Sequence, residues 1–402
     1  MHLNSTPLRF LQARFKGLAF FVTLLIALIT GSTATAQVTL PTPAPFHIVV
    51  LIEENQANSI VIGNSSYAPY INQIAADSNA TTFTQMFAIT HPSEPNYLDF
   101  FSGSDQGVTD DNISTNAPFT TPNLARELLD KGLTFATYSE DLPSVGFDGV
   151  NSTIGSYVRK HNPVVNWQGT STNQVPDSLN QPFTAFPTDF SKLPTVSYVV
   201  PNEDSDMHNG FPNTAIPAGD AWFKNNMTNF INWVADPHNN TLFIYTFDED
   251  DGIANNNIPT IFYGPMVKGG TDVTNYSLYN ILRTIEDIYG LSYAGQATTS
   301  VPITDCWKAN PVAGISNVTG VAPINCYPNP ASNLIQFKGD ALAAGNTEIE
   351  LTDITGRHIE TIHTTGANTL PVNVSNYAQG LYFYSLLSAG HTIQSGKFTV
   401  TR

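Results

Sequence analysis

Residues 46 to 52, F-H-I-V-V-L-I, form an unbroken apolar run rich in β-branched side chains. A strand with one face in water alternates apolar and polar residues, whereas a strand covered by helices on both faces is apolar throughout. This run therefore predicts a central strand of a mostly parallel sheet. Four further runs of the same character lie at 134–138, 195–200, 241–247 and 259–263.

Helical spacing of apolar residues separates several of these runs, at 123–131, 222–233 and 278–289. Strands and helices in this alternation predict an α/β fold, with a mostly parallel sheet sandwiched by helices. Because such sheets bind their ligands at the carboxyl ends of the strands, the residues that follow each run are the first candidates for a functional site.

The N-terminal residues predict export. Arg9, Arg14 and Lys16 precede an apolar run at 18–30, which is followed by the small-residue stretch G-S-T-A-T-A-Q. This pattern is typical of a signal peptide spanning residues 1–36 and cleaved before Gln37. A retained membrane anchor is the alternative, but the apolar run is short for a permanent span.

After Trp307, the helical spacing of apolar residues ends and small, turn-forming residues dominate. With 402 residues, the chain is also longer than one typical domain. We predict an α/β domain at 37–310, a turn-prone linker at 311–323 and a small all-β sandwich at 324–402, whose short alternating segments are separated by turn signals. The two cysteines, Cys306 and Cys326, flank this junction. A disulfide and two free buried thiols both remain open.

The charge balance narrows the possible partners. The chain has 33 acidic and 16 basic residues, a formal net charge of -17. Such a field repels nucleic-acid backbones and anionic lipid surfaces, so we expect neither nucleic-acid binding nor stable membrane insertion. If the chain acts on an anionic substrate, its pocket needs a local cation, most simply a bound metal ion.

Carboxylates follow two of the predicted strands. The first run leads into Glu53, Glu54 and Asn55, and the run at 241–247 leads into the acidic segment 248–251. Carboxylate and amide oxygens from two strand ends are suitable ligands for a divalent cation. Either segment alone is equally typical of a solvated surface turn.

Ser93 is the candidate nucleophile. It lies between two prolines in T-H-P-S-E-P-N-Y, a pattern that suits the first turn of a helix, where free N–H groups bind phosphate. Metal coordination would activate its hydroxyl. The alternative interpretation is a helix N-cap serine.

Two histidines are candidates for proton transfer or for substrate binding. His208, with Asp206 two residues before it, follows another predicted strand and is a candidate general acid. His161, next to Lys160, could bind substrate oxygens. A structural role is the alternative for each.

These segments together resemble a known family. Residues 45 to about 307 resemble the secreted phosphoesterases that include bacterial acid phosphatases and phospholipase C enzymes, within the alkaline phosphatase superfamily. The resemblance rests on seven segments in family order: I-E-E-N, H-P-S-E-P-N-Y-L-D-F-F-S-G, Y-V-R-K-H-N-P, V-V-P-N-E-D-S-D-M-H-N-G, T-F-D-E-D-D-G, I-P-T-I-F-Y-G-P and L-R-T-I-E-D-I-Y-G-L.

The resemblance implies an alkaline-phosphatase-like fold and a role for each candidate residue. Ser93 is implied as nucleophile and His208 as general acid. One divalent metal ion is implied, with the ligands Glu54, Asn55, Ser93, Asp248 and Glu249. The predicted substrate-binding residues are Lys160, His161 and Asp206.

The chain also departs from the family pattern. Many relatives have a histidine where this chain has Asn257 and another where it has Leu278, and the residues after Asn55 read Q-A-N-S. A second, histidine-rich metal position is therefore not expected.

The tail, from about 324 to 402, resembles a type A sorting domain of the type IX secretion system. The segments are N-C-Y-P-N-P-A-S-N, L-T-D-I-T-G-R and Y-A-Q-G-L-Y-F-Y. The resemblance implies a secreted or cell-surface location, with the type IX secretion machinery as a partner. A carbohydrate-binding or adhesive sandwich is the alternative.

We therefore predict a secreted phosphoric ester hydrolase that cleaves phosphate monoesters through a phosphoserine at Ser93. Its substrate is expected to be a small-molecule phosphate ester or a phospholipid head group. The alternatives are a phospholipase C-like phosphodiesterase and a catalytically inactive, surface-displayed binding protein.

Overall fold

A computed structural model describes residues 40–308, 324–344, 347–354, 357–388 and 391–402. The predicted signal peptide at 1–36 and the predicted linker at 311–323 lie outside the described residues. The exact domain boundaries therefore stay predictions.

Between residues 40 and 308, the structure has ten strands: β1 (His47–Glu53), β2 (Ala80–Phe83), β3 (Met86–Phe87), β4 (Phe135–Ser139), β5 (Asn180–Pro182), β6 (Val196–Val200), β7 (Thr241–Phe247), β8 (Thr260–Tyr263), β9 (Gly270–Asp272) and β10 (Tyr276–Ser277). Eight of them form one sheet in the order β5-β4-β6-β1-β7-β8-β2-β9. The other two, β3 and β10, pair with each other.

The sheet is mostly parallel, as the sequence predicts. β1 lies at its centre, parallel to β6 on one side and to β7 on the other. All five predicted strands are present. β8 departs from the parallel prediction, because it pairs antiparallel with both β7 and β2. The central strands are buried throughout, which explains why their sequences do not alternate.

In the described part of the chain, six α-helices accompany this sheet: α1 (Asn58–Val61), α2 (Pro69–Ala75), α3 (Ser93–Ser102), α4 (Leu124–Asp130), α5 (Pro212–Ala235) and α6 (Leu278–Tyr289). The last three correspond to the predicted helices, and α4 is one residue shorter than predicted at each end. α5 begins ten residues before the predicted segment, at Pro212, whose fixed φ suits the first position of a helix. The apolar side chains of helices and strands share one core.

The C-terminal residues form a second, all-antiparallel structure. Its strands are β11 (Asn325–Tyr327), β12 (Leu334–Lys338), β13 (Thr347–Asp353), β14 (His358–His363), β15 (Thr369–Asn373), β16 (Gly380–Ser388) and β17 (His391–Val400). They form a three-stranded sheet, β11-β12-β15, and a four-stranded sheet, β14-β13-β16-β17. Residues of both sheets, including Phe337 and Leu351, share a separate core. The predicted small all-β sandwich is therefore confirmed.

The structure answers the open question about the cysteines. Cys306 is buried and Cys326 is partly buried, and both are free thiols. Within the described residues, no helix combines the length and the hydropathy that a membrane span requires.

Two buried glutamates meet away from the strand ends. Glu127 on α4 interacts with Glu286 on α6, whose Oε1 also accepts the Ala294 N–H at 2.9 Å. Burial raises the pKa of Glu127 to about 8 and that of Glu286 to about 9. Two carboxyl groups can share a hydrogen bond only when one holds a proton. The interaction between the two glutamates is therefore most favourable at acidic pH, where one of them is protonated.

The glutamate pair predicts that stability falls as the pH rises. Between the ordinary pKa of 4.5 and the folded value of about 8, the folded protein retains a proton that the unfolded chain has released. Glu127→Gln should therefore stabilise the protein at about pH 8 by about 2 kcal/mol, and should have little effect at about pH 4. Thermal unfolding across this pH range measures the difference.

Asp130→Asn is the matched control, because Asp130 lies on the same helix with an exposed side chain paired to Arg126. An equal gain at about pH 8 in this variant, or none in Glu127→Gln, would show that the pair does not govern the pH dependence.

Candidate active site

The register of two central strands brings the predicted carboxylates together. β1 and β7 run parallel, with Glu53 opposite Phe247, so the residues that follow them emerge side by side. The Asp248 N–H donates to the Glu53 carbonyl oxygen at 3.1 Å. Glu54, Asp248 and Glu249 are at most 5% exposed. The two acidic segments therefore form one buried cluster and not two surface turns.

Ser93 lies within this cluster. It is the first residue of α3, directly after Pro92, and it is 1% exposed. Its Oγ lies 3.1 Å from Glu54 Oε2 and 3.0 Å from Glu249 Oε1. The N-cap interpretation is wrong, because the N-cap residue is Pro92 and Ser93 is already the first residue of the helix. The hydroxyl instead faces carboxylates from two strand ends.

Asn55 and Asp248 offer further oxygen ligands. Asn55 has φ of 53°, a left-handed conformation that asparagine tolerates, and its N–H donates to Asp248 Oδ1 at 3.3 Å. Asn55 Oδ1 and Asp248 Oδ2 are buried and have no hydrogen-bond partner among the described residues. Buried polar atoms rarely remain unpaired, so these two oxygens are suited to a ligand.

The electrostatics of the cluster call for a cation. Burial raises the pKa of Glu54 to about 8, against the opposing effect of Tyr97 and Lys160. Burial and the neighbouring carboxylates Glu54 and Glu249 raise the pKa of Asp248 well above its usual range. Either protons or a cation must neutralise such a group, and the all-oxygen donor set fits a hard divalent ion.

His161 and Asp206 lie behind Glu54. His161 Nε2 is 3.0 Å from Glu54 Oε1, and Nδ1 is 3.3 Å from Asp206 Oδ2. Both residues are fully buried, and burial raises the pKa of Asp206 to about 7. One ligand atom from each of Glu54, His161 and Asp206 lies within 4.8 Å of the others, so this group is a second candidate metal-ligand set that shares Glu54. The predicted contact of His161 and Asp206 with substrate stays a prediction.

The remaining two predicted residues lie nearer to solvent. Lys160 Nζ is 3.3 Å from Asp111 Oδ2 and 3.7 Å from Glu203 Oε1. His208 is partly exposed, with its ring centre 6.2 Å from that of His161. The structure therefore connects His208 to the cluster through His161, and its predicted role as general acid stays a prediction.

Sequence reasoning did not single out two residues of the site. Tyr97 follows Ser93 by one helical turn, interacts with Glu54 and stacks on His161 with ring centres 5.3 Å apart. The spacing of four residues could have placed it on the same helix face. His91 lies 2.5 Å from Glu249 through Nδ1 and 3.3 Å from Asp250 through Nε2.

The two positions where the family pattern has histidine do not join the cluster. Asn257 donates to the backbone oxygens of Thr84 and Met86, and Leu278 is buried in the apolar core. Each side chain has a structural role in this chain.

Residues 67–292 match the model of the phosphoesterase family. The chain belongs to this family. It is 46% identical over 270 residues to a protein of Mycobacterium tuberculosis named phosphatidylinositol-3-phosphatase, an alignment covering 67% of this chain and 84% of that protein. It is 31% identical over 261 residues to an acid phosphatase of Aspergillus fumigatus, covering 60% of this chain and 54% of that enzyme. This phosphoesterase therefore spans about half the length of the fungal relative.

A solved structure and a second family model complete the comparison. A crystal structure of a protein in the alkaline phosphatase superfamily from Vibrio parahaemolyticus superposes with a TM-score of 0.45 at 11% identity, over 86% of this chain and 79% of that chain. Residues 325–401 match the model of a secretion system C-terminal sorting domain. The predictions of a phosphoric ester hydrolase and of a secreted or cell-surface location are confirmed.

A divalent cation should stabilise the protein, and more strongly at about pH 7.5 than at about pH 5. Glu54, with a pKa of about 8, is protonated at the lower pH. Because metal binding must displace that proton, affinity should rise about tenfold per pH unit for each proton released. The melting temperature of chelator-treated protein, titrated with Mn²⁺ or Ca²⁺ at both pH values, measures this effect.

Two matched variants distinguish the candidate ligand sets. Asp248→Asn should remove most of the cation-dependent rise in melting temperature, whereas Asp206→Asn should retain it. The reverse pattern would locate the cation at Glu54, His161 and Asp206, and no rise with any divalent ion would contradict a metal site.

Proposed function

We propose that this phosphoesterase is a metal-dependent phosphatase that hydrolyses phosphate monoesters through a phosphoserine at Ser93. The observation that carries the proposal is the position of the Ser93 hydroxyl, within hydrogen-bond distance of Glu54 and Glu249 in a buried carboxylate cluster. A buried carboxylate cluster without a cation would repel a phosphate ester. A metal held by Glu54, Asn55, Asp248 and Glu249 makes the same cluster suitable for phosphoryl transfer.

When bound, the divalent ion lowers the pKa of the serine hydroxyl and neutralises the phosphoryl oxygens. Ser93 Oγ attacks phosphorus, and its proton passes to a carboxylate oxygen that already accepts its hydrogen bond, on Glu54 or Glu249. The Oγ–P bond forms as the bond to the leaving oxygen breaks. A water molecule then attacks the phosphoserine and gives a proton to the imidazole that protonated the leaving alcohol. The Oγ–P bond breaks, and Ser93 Oγ takes back its proton from the carboxylate as phosphate is released.

His208 protonates the leaving alcohol in this proposal. Its backbone N–H donates to Asp206 Oδ1 at 2.9 Å, and its ring centre lies 6.2 Å from that of His161. His161 and Asp206, buried behind Glu54, act as positioning residues that orient its carboxylate.

A cavity of about 250 Å³, lined by Glu94, which follows Ser93 in the chain, is suited to the leaving group. Its walls combine charged side chains with apolar ones, and the lining residues are Glu94, Asp111, Ile113, Val150, Asn151, Val158, Arg159, Lys160 and Glu203. A polar alcohol with some apolar surface fits this mixture. The two relatives named above are both named phosphatases, which supports monoesters as substrates.

Ser93→Ala should lower turnover of p-nitrophenyl phosphate by about 10⁴-fold or more, because it removes the atom that bonds to phosphorus. Ser102→Ala is the matched control, since Ser102 is a buried serine of the same helix whose hydroxyl donates to the Leu98 carbonyl. Mass spectrometry of acid-quenched wild-type protein should find phosphate on Ser93.

A panel of mono- and diesters tests the alternatives. Undiminished activity in Ser93→Ala would eliminate this nucleophile, and faster cleavage of diesters than of monoesters would favour a phospholipase C-like enzyme. Metal binding without hydrolysis of any ester would indicate a binding protein.

The leaving group tests the role of His208. A general acid matters most when the departing alkoxide is a strong base. His208→Gln should therefore slow hydrolysis of an alkyl phosphate by about 10²-fold or more and slow p-nitrophenyl phosphate much less. His238→Gln, in an exposed histidine outside the site, is the control. Equal losses on both substrates would assign His208 another role.

A further inference from the structure

Asp111 contacts two groups that could bind a phosphoryl oxygen. It lies on an exposed segment between α3 and α4. Its Oδ1 accepts the backbone N–H of Glu94 at 3.0 Å, and its Oδ2 lies 3.3 Å from Lys160 Nζ. One carboxylate thus bridges the start of the nucleophile's helix and the lysine predicted to bind substrate.

The Glu94 N–H is an anion-binding group by its position. Glu94 is the second residue of the ten-residue helix α3, directly after Ser93. The first N–H groups of a helix have no acceptor within the helix, and they carry the positive end of its dipole. An oxygen of a phosphoryl group on Ser93 would lie close to this N–H. In the substrate-free protein, Asp111 Oδ1 accepts this N–H instead of a phosphoryl oxygen.

Arg159 is an independent indication that this region receives an anion. It lines the same cavity as Glu94, Asp111 and Lys160 and is only 7% exposed. Its Nη1 donates to the Asp148 carbonyl oxygen and its Nη2 to Asn166 Oδ1, but its buried Nε has no partner within the part of the chain that the structure describes. A buried guanidinium donor without an acceptor is unusual and calls for a ligand oxygen.

We propose that Asp111 is a built-in competitor for the phosphoryl group, occupying its oxygen subsite in the substrate-free protein. A carboxylate presents two acceptor oxygens to the same kinds of donor as a phosphate does. Substrate or product phosphate must displace Asp111 from Glu94 and Lys160. The identification of the displacing anion as a phosphoryl group rests on the proposed function.

The surroundings of Asp111 permit this exchange. Its side chain is 34% exposed, so it can turn into water when it leaves. Lys160 retains Glu203 at 3.7 Å and therefore does not become an isolated charge. The consequence is weaker binding of phosphate, and hence faster product release, than the helix start and Lys160 alone would give.

Direct binding of inorganic phosphate to the full, metal-loaded chain tests this proposal by isothermal titration calorimetry. Asp111→Asn removes the competing charge and should lower the phosphate Kd by about tenfold. Asp110→Asn is the matched control, because it removes one charge from the same exposed segment while Asp110 only accepts the Asn112 N–H. The phosphate Kd of the Asp110→Asn variant should differ from that of the wild type by less than about twofold.

Glu203→Gln is the second control, since it removes a carboxylate near Lys160 that does not occupy the Glu94 N–H. Its effect on the phosphate Kd should be smaller than that of Asp111→Asn. Weaker phosphate binding by Asp111→Asn would overturn the proposal and make Asp111 a supporting residue of the site. Equal effects of Asp111→Asn and Asp110→Asn would also overturn it, as a general charge effect.

The calorimetric result is independent of catalysis. If Asp111→Asn alone lowers the phosphate Kd but the protein hydrolyses no ester, the result would support Asp111 as a competitor and contradict the proposed function. If ester hydrolysis depends on Ser93 but Asp111→Asn does not selectively lower the phosphate Kd, the result would support the proposed function and contradict the role of Asp111 as a competitor.

Discussion

The burial of several carboxylates around one hydroxyl is the constraint on which the site depends. Glu54, Asp248 and Glu249 are held almost out of water, with the Ser93 hydroxyl within hydrogen-bond distance of two of them. Isolated buried charges are too costly to persist, so this arrangement needs protons or a cation. The parallel register of β1 and β7 makes the arrangement unavoidable, because it sends both acidic segments to the same edge of the sheet.

The neighbouring side chains are arranged around this cluster in two groups. Behind it, Tyr97 and His161 stack on each other and reach Glu54, and Asp206 holds the far side of the imidazole. Toward solvent, Lys160 lies between acidic side chains. The inner group is fully buried and fixes the geometry of a carboxylate. The outer group is partly exposed, so it can exchange partners when an anion arrives.

The chemistry and the export signal are carried by separate structures. The α/β part and the antiparallel sandwich have distinct apolar cores. The candidate site lies entirely in the α/β part, whereas the sandwich matches a secretion sorting domain. The sandwich supplies none of the residues assigned to hydrolysis, so its match bears on location alone.

The sequence by itself determined the strands, the long helices, the two-part organisation and the two acidic segments. Unbroken apolar runs identify buried strands locally, and ordered motifs identify the family. Only the tertiary structure decided which atoms meet. It placed the Ser93 hydroxyl, a possible helix cap by sequence, within hydrogen-bond distance of Glu54 and Glu249. It also stacked Tyr97 on His161 and placed Asp111 at the start of the helix that begins at Ser93. These contacts join residues from different elements, and their distances depend on packing and register that no local pattern encodes.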